Sequence, residues 1–279
     1  MSSERQERLA KLYDDELLPA YAGRFATMLL RKLDPQLVGA GVRATRILEV
    51  GCATGHLTRE LVRRFPEAGR VTAVDDNPAL IGRARLKLAA DRSVRMAPVF
   101  ELATPEALPL GDGEAELAVS NLAVAEAPDP LGAIVELHRV LAPGGHVAMS
   151  LPLRGSWVEF IDLLREVLRE SGRRDGLAAL ERHERVLPDG ADAVAALEAV
   201  GFRDVTIEVD RWELLFRSAR EFFFAPLVEL GPLSRWKRVV GRGEDMQDAF
   251  FFTKEAIETY FKGRPFAVTI VGAVVTGRK

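Results

Sequence analysis

The chain has 279 residues, of which 48% are hydrophobic, with a formal net charge of −3 and a mean hydropathy near zero. That length suits one large domain, or a core domain with a substantial insertion, and the apolar fraction supplies a sizeable core. The near-neutral balance gives no electrostatic drive toward nucleic acid or an anionic membrane, and the single cysteine, Cys52, excludes an intrachain disulfide and a multi-cysteine metal site.

No run reaches the roughly 18 apolar residues that a spanning helix needs. Ser2-Ser3-Glu4-Arg5-Gln6-Glu7-Arg8 reads as neither a secretory signal nor an anchor. A cytoplasmic protein without a membrane span is the expectation. The one basic run, Arg235-Trp236-Lys237-Arg238 with Arg242 beyond it, is short and reads as solvated surface rather than a phosphate or lipid site.

In chain order, Phe25, Met28, Leu29 and Leu33 recur at helical spacing, and Asp34-Pro35 is expected to stop that helix. Arg46–Val50 reads as a short buried strand broken by Gly51. Leu57, Leu61, Val62 and Phe65 mark the next helix, closed by Gly69. Val71–Val74 is a second strand stopping at Asp75, and Leu80, Ala84 and Leu88 mark a further helix. Strands are predicted around Val94–Phe100 and Leu117–Asn121. A helix carrying Ile134, Leu137 and Leu141 then ends at Pro143-Gly144-Gly145, before a strand at Val147–Leu151. Strands alternating with helices at these lengths indicate parallel βαβ units.

The second half is less regular. Amphipathic helices are predicted over Trp157–Leu168 and Ala191–Val200, the latter stopped by Gly201, and an alternating strand runs through Val205, Ile207 and Val209. Ser218-Ala219-Arg220-Glu221 has the spacing of a capping box opening a helix through Phe222–Phe224. Residues 226–250 read as a mobile loop, Thr253 as the cap of a helix ending at Lys262-Gly263, and Phe266–Val275 as a closing strand.

The turn Glu49-Val50-Gly51-Cys52-Ala53-Thr54-Gly55-His56 joins the first strand to its helix. Glycine there allows a tight turn and a close approach by a ligand, and the helix start favours an anionic group. Asp75, ending the second strand, falls beside that turn, where its carboxylate can accept both hydrogen bonds of a ribose diol. Together these residues describe a nucleoside site at the carboxyl edge of the sheet. A dinucleotide fingerprint needs G-x-G-x-x-G, but the corresponding positions are Gly51, Ala53 and His56.

The spacing of Glu49, Gly51 and Gly55 instead resembles motif I of the class I S-adenosylmethionine-dependent methyltransferases. Four further stretches resemble that family in order. They are Val71–Leu80, Glu106–Leu110 with Asp112, Ser120-Asn121-Leu122, and Leu137–Gly145. The chain is similar, more weakly, to the malonyl-carrier-protein and quinone-pathway methyltransferases. The resemblance implies an α/β fold: a doubly wound, mostly parallel, seven-stranded Rossmann-like sheet with an α-helical cap, its last strand antiparallel beside the fifth. Residues 1–45 would be N-terminal helices, 46–152 the cofactor-binding core, and 153–279 the remaining strands with the cap, in the same domain.

By the same resemblance the cofactor is S-adenosylmethionine. The implied cofactor-binding residues are Glu49, Gly51, Cys52, Ala53, Gly55, Asp75, Asp76, Thr104 and Asn121. The implied reaction is methyl transfer to a small-molecule or acyl-type acceptor. The chain departs from the family where Ala53 replaces a glycine, Asp76 an apolar residue on adenine, and Thr104 an aspartate. Each weakened polar contact is worth about 1 kcal/mol, and about 1.4 kcal/mol is tenfold in affinity. A second reading is therefore open: a non-catalytic methyltransferase-like module binding a protein partner.

Methyl transfer from a sulfonium needs alignment rather than a metal or a covalent nucleophile, so no catalytic residue is singled out. The four histidines show no metal spacing. His56 reads as a polar helix-start residue, and Tyr13 and Tyr21 precede the core, where the family often folds a helix over the cofactor. The runs Phe222–Phe224 and Phe250–Phe252 suit either a two-sided buried helix or an apolar surface for an acceptor or partner.

Overall fold

Alternating short apolar strands and amphipathic helices produce one sheet of seven strands, in the order β3-β2-β1-β4-β5-β7-β6. The computed structural model describes residues 3–33 and 45–279. The strands are β1 (Arg46–Val50), β2 (Arg70–Asp75), β3 (Val99–Leu102), β4 (Ala115–Asn121), β5 (Leu141–Pro152), β6 (Arg203–Phe216) and β7 (Phe266–Arg278). Before the sheet come α1 (Ser3–Leu12), a π-helix (Tyr13–Ala22) and α2 (Gly23–Leu33). Between the strands lie α3 (His56–Arg64), α4 (Pro78–Ala90), α5 (Ala123–Glu126) and α6 (Pro130–Val140). They are followed by α7 (Val158–Glu170), α8 (Arg174–Glu184) and α9 (Gly190–Val200). The last helices are α10 (Ala219–Phe224), α11 (Pro226–Leu230), α12 (Leu233–Val240) and α13 (Glu244–Phe261).

The pairs β1–β2, β1–β4, β2–β3 and β4–β5 are parallel. The last strand runs the other way. The Gly144 amide donates to the Lys279 carbonyl and the Lys279 amide to that of Gly145, while the Leu153 amide donates to Val271. This register makes β7 antiparallel to β5, as the resemblance implied.

By contact the chain divides into two compact units. One comprises Met1–Leu151, Gly190–Val209 and Ala273–Lys279, the other Pro152–Asp189 and Asp210–Gly272. In the first, β1 and β4 are almost wholly buried, and Ala73, Phe100, Ile81, Ala84, Leu88 and Cys52 form a core cluster between the sheet and α4. The core of the second is aromatic. Trp236 lies 4.1 Å from Phe160 between ring centroids, and Phe222 packs at 5.1 Å against both Phe216 and Phe266.

Several boundaries differ from the sequence reading. β3 begins at Val99 rather than near Val94, because Pro98 has no amide to donate to β2; pairing opens with Val99 opposite Thr72. α6 stops at Val140, before Pro143-Gly144-Gly145. Leu141 already pairs with Ala115, and the Pro-Gly-Gly lies within β5 where the register against β4 shifts. Residues 226–250, expected as a loop, carry α11, α12 and the start of α13. Thr253 does not cap α13 but is buried within it, its hydroxyl donating to the Ala249 carbonyl one turn back at 2.7 Å. Ser218 does cap α10, accepting from the Glu221 amide at 3.1 Å. The Asp34-Pro35 stop lies outside the described residues.

Candidate functional site

The carboxyl ends of β1, β2 and β4 bring the predicted residues to one edge of the sheet. β1 leads into the glycine turn with Gly51 at φ 80°, Ala53 at φ 44° and Gly55 at φ 81°. The turn is hydrogen-bonded internally. The amides of Gly51 and Cys52 both donate to the Val74 carbonyl, at 2.8 and 2.9 Å, and the Gly55 amide donates to Cys52 at 2.8 Å. The amides left for a ligand are those of the first turn of α3, which a helix cannot satisfy itself.

The two glycines serve close packing. A Cβ on Gly51 would meet that of Ala123 at 2.1 Å, and one on Gly55 would meet Leu88 Cδ1 at 2.7 Å and Ala84 Cβ at 3.1 Å. The turn therefore lies tight against α5 on one side and α4 on the other. Any ligand approaches it from the remaining face.

Asp75 braces the turn from β2. Its Oδ2 accepts from the Ala53 amide at 2.8 Å and its Oδ1 from the Asn77 amide at 3.0 Å. Each carboxylate oxygen has a further lone pair, so a diol can still be accepted. Burial raises the Asp75 pKa above its ordinary value; the two amides oppose that shift and the neighbouring Asp76 adds to it.

Glu49 is the most unusual group of the site. It is 1% exposed, and among the described residues neither carboxylate oxygen has a hydrogen-bond partner of ordinary geometry. Burial pushes its pKa up to about 8, with the Asp75 charge adding to the shift and the nearby Thr58 working against it. A buried, unpartnered carboxylate is costly unless a cation or donor reaches it.

The other predicted residues are placed differently from one another. Cys52 turns its thiol into the α4 core cluster, where burial pushes its pKa up. Asp76 is exposed, and Thr104 is exposed just beyond β3, whose continuation binds β2 through the Ala103 amide and the Asp75 carbonyl at 3.1 Å. Asn121 has its side chain committed: its amide donates to the Ala22 carbonyl at 3.1 Å, and its oxygen accepts from Ser150 at 2.7 Å. His56 opens α3, and burial, then the charge of Arg59, lowers its pKa.

The sequence reading did not single out Asp14, on the π-helix. This carboxylate accepts from Thr54 in the turn at 2.5 Å, and from Lys87 at 2.6 Å and Arg83 at 3.0 Å, both on α4. Beside it, Tyr13 feels the charges of Asp75, Glu126 and Glu49, and burial, followed by those charges, raises its pKa. Tyr13 is thus a neutral phenol among the acidic groups of this edge.

Residues 48–149 match the family described as Methyltransferase domain. This stretch is a class I methyltransferase domain. Malonyl-acyl-carrier-protein O-methyltransferase of Halorhodospira halophila is 38% identical over 147 residues, covering 50% of this chain and 47% of that protein. Trans-aconitate 2-methyltransferase of Mycobacterium tuberculosis is 30% identical over 177 residues, covering 62% and 60%. A Bacillus halodurans structure described as a methyltransferase superposes with a TM-score of 0.56 at 17% identity, covering 91% of this chain and 99% of that one. At that identity the likeness is one of fold. The chain spans about half the length of the first curated relatives it matches. Among the described residues no helix is long and apolar enough to cross a membrane, and no group of three or more acidic, histidine or cysteine residues could hold a metal.

Proposed function

We propose that the methyltransferase domain binds S-adenosylmethionine at this edge and transfers its methyl group to an acyl-type acceptor bearing a carboxylate. The observation that carries the reading is Glu49, a buried carboxylate without a hydrogen-bond partner of ordinary geometry among the described residues, beside Asp75, a second carboxylate with lone pairs to spare. The cofactor carries an ammonium group and a ribose diol, which are the two complements these carboxylates need. Glu49 would hold the ammonium, Asp75 the diol, and the amides opening α3 the methionine carboxylate.

When bound, S-adenosylmethionine supplies an electrophilic methyl group on a sulfonium. The chain's part is to orient and to exclude water. Tyr13, held neutral, can donate a hydrogen bond but cannot serve as a general base at neutral pH. A carboxylate acceptor needs no general base. Both relatives named above are, by name, methyltransferases of carboxylic acids or their acyl-carrier derivatives. This supports an acyl-type or polycarboxylate acceptor, on a carrier or free. The departures Asp76 and Thr104 are both exposed, and the two buried carboxylates are kept together. That favours an enzyme over a module that lost its cofactor.

The test is transfer of a labelled methyl group from S-adenosylmethionine to malonyl carrier protein, malonyl thioesters and free polycarboxylic acids. Label in an ester that mild alkali hydrolyses supports the proposal. Label in none of these acceptors, with the cofactor bound, would exclude the acyl-type acceptor.

A further inference from the structure

The Asp14 carboxylate joins three separate pieces of the fold. Its Oδ1 takes the Thr54 hydroxyl and the Lys87 ammonium, and its Oδ2 takes Arg83. Thr54 is fully buried in the glycine turn, and its hydroxyl also lies 3.4 Å from Lys87. Hydrogen bonds from Lys87, Thr54 and Arg83 hold the Asp14 carboxyl below its ordinary value even though burial alone would raise it. The group is therefore charged, only 11% exposed, and fully engaged.

The segment Asp14 holds down is unusual. π-Helices are rare and mostly confined to single turns near functional sites, whereas this one runs for ten residues with Pro19 inside it. Its end is pinned as well. The Gly23 amide reaches back five residues to the Leu18 carbonyl, at a spacing where a Cβ on Gly23 would come within 2.6 Å of that oxygen. The Ala22 carbonyl is held by Asn121 at the tip of β4. The π-helix thus spans from the β1 turn to the end of β4, fixed at both ends, with Tyr13 among the acidic groups of the site.

We infer that Asp14 is a positioning residue: by tying Thr54 to Lys87 and Arg83 it holds the π-helix, and Tyr13 with it, across the nucleoside edge, and so sets how long a bound nucleoside stays. This rests on the function proposed above. No atom of Asp14 needs to touch the ligand. Its loss should therefore raise the dissociation rate far more than it lowers the association rate, because the open site remains formed.

The experiment measures binding and release of S-adenosylhomocysteine by the full chain, for the parent, Asp14→Asn, Asp14→Glu and Lys87→Met. Amide exchange across 13–22 is followed without ligand. Asp14→Asn keeps the size but loses the charge and turns one acceptor oxygen into a donor, so release should quicken roughly tenfold or more with association changed less than about twofold. Asp14→Glu should recover part of the loss, and Lys87→Met should give a smaller increase while keeping Thr54 and Arg83 engaged. Exchange over 13–22 should accelerate in Asp14→Asn while that of α2 does not. Unchanged release and exchange in a folded Asp14→Asn would overturn the role of Asp14 and leave the function standing. Should Asp14→Asn not fold, Lys87→Met decides: parental release from that variant overturns the inference. No binding by the parent would instead remove the function and this inference with it.

Discussion

The Asp75 carboxylate accepts the Ala53 amide at 2.8 Å across the glycine turn, so the residue proposed to hold a ribose diol also braces the turn. The two roles separate by substitution. Asp75→Ala removes both accepted bonds, from Ala53 and Asn77, and should lower stability by about 2 kcal/mol as well as weaken nucleoside binding. Asp75→Asn keeps one acceptor oxygen and should lose affinity with a smaller loss of stability. Chemical denaturation of the two variants checks this; equal stability for Asp75→Ala and the parent would mean the brace is idle.

Glu49 makes stability depend on pH in an unusual sense. Its folded pKa, about 8, lies above the ordinary 4.5, so between those values the unfolded chain has released a proton that the native state retains. Stability should therefore fall as pH rises from about 4.5 to 8, by up to about 1.4 kcal/mol per unit. Glu49→Gln removes the ionisation. Without ligand it should match the parent near pH 5 and exceed it near pH 8, while binding S-adenosylhomocysteine poorly at both. Parallel stability curves across that range would contradict the assignment.

At the turn, Gly51→Ala and Gly55→Ala should not be equivalent. Both demand a left-handed backbone, which costs a side chain about 1–2 kcal/mol. The new methyl on Gly51 meets the Ala123 Cβ at 2.1 Å, fixed to backbone, whereas the first contact at Gly55 is the end of the Leu88 side chain. Thermal unfolding should show the larger loss for Gly51→Ala. The reverse order would mean that α5 gives way more readily than α4.

The phenylalanine runs divide sharply by burial. Phe222 is fully buried among rings, whereas Phe224, Phe251 and Phe252 are 66%, 56% and 52% exposed. Phe222→Ala should cost about 3–5 kcal/mol, and Phe224→Ser should stay within about 0.5 kcal/mol. Urea denaturation distinguishes them, and a large loss for Phe224→Ser would show that it is covered in solution.

Much of this was legible in the sequence because local signals and tertiary demands agreed. β1, the turn and β2 each carry an apolar run ended by glycine or aspartate, and the Glu49–Gly51–Gly55–Asp75 constellation follows from where those runs stop. The second half was less legible. The stretch 226–250 has two short helices whose buried apolar positions, Leu227 and Val228 on α11 and Trp236, Val239 and Val240 on α12, are too few in each to mark a period. Asp14 was invisible because its partners, Thr54, Arg83 and Lys87, are distant in sequence, and because a π-helix breaks the 3.6-residue spacing by which helices are recognised. Cys52 and Gly51 lie in the motif as expected, but their side of the turn packs against the core, a distinction that spacing alone does not carry.

Glu49 and Asp75 are the residues proposed to hold S-adenosylmethionine, and calorimetric titration of the chain with S-adenosylhomocysteine, repeated at pH 7 in two buffers of different ionisation enthalpy, tests that assignment. The expected result is micromolar binding, lost in Asp75→Asn, with protons released as the ligand ammonium draws Glu49 into its charged form. Absence of binding at millimolar ligand, or binding unaffected by Asp75→Asn and Glu49→Gln, would contradict it.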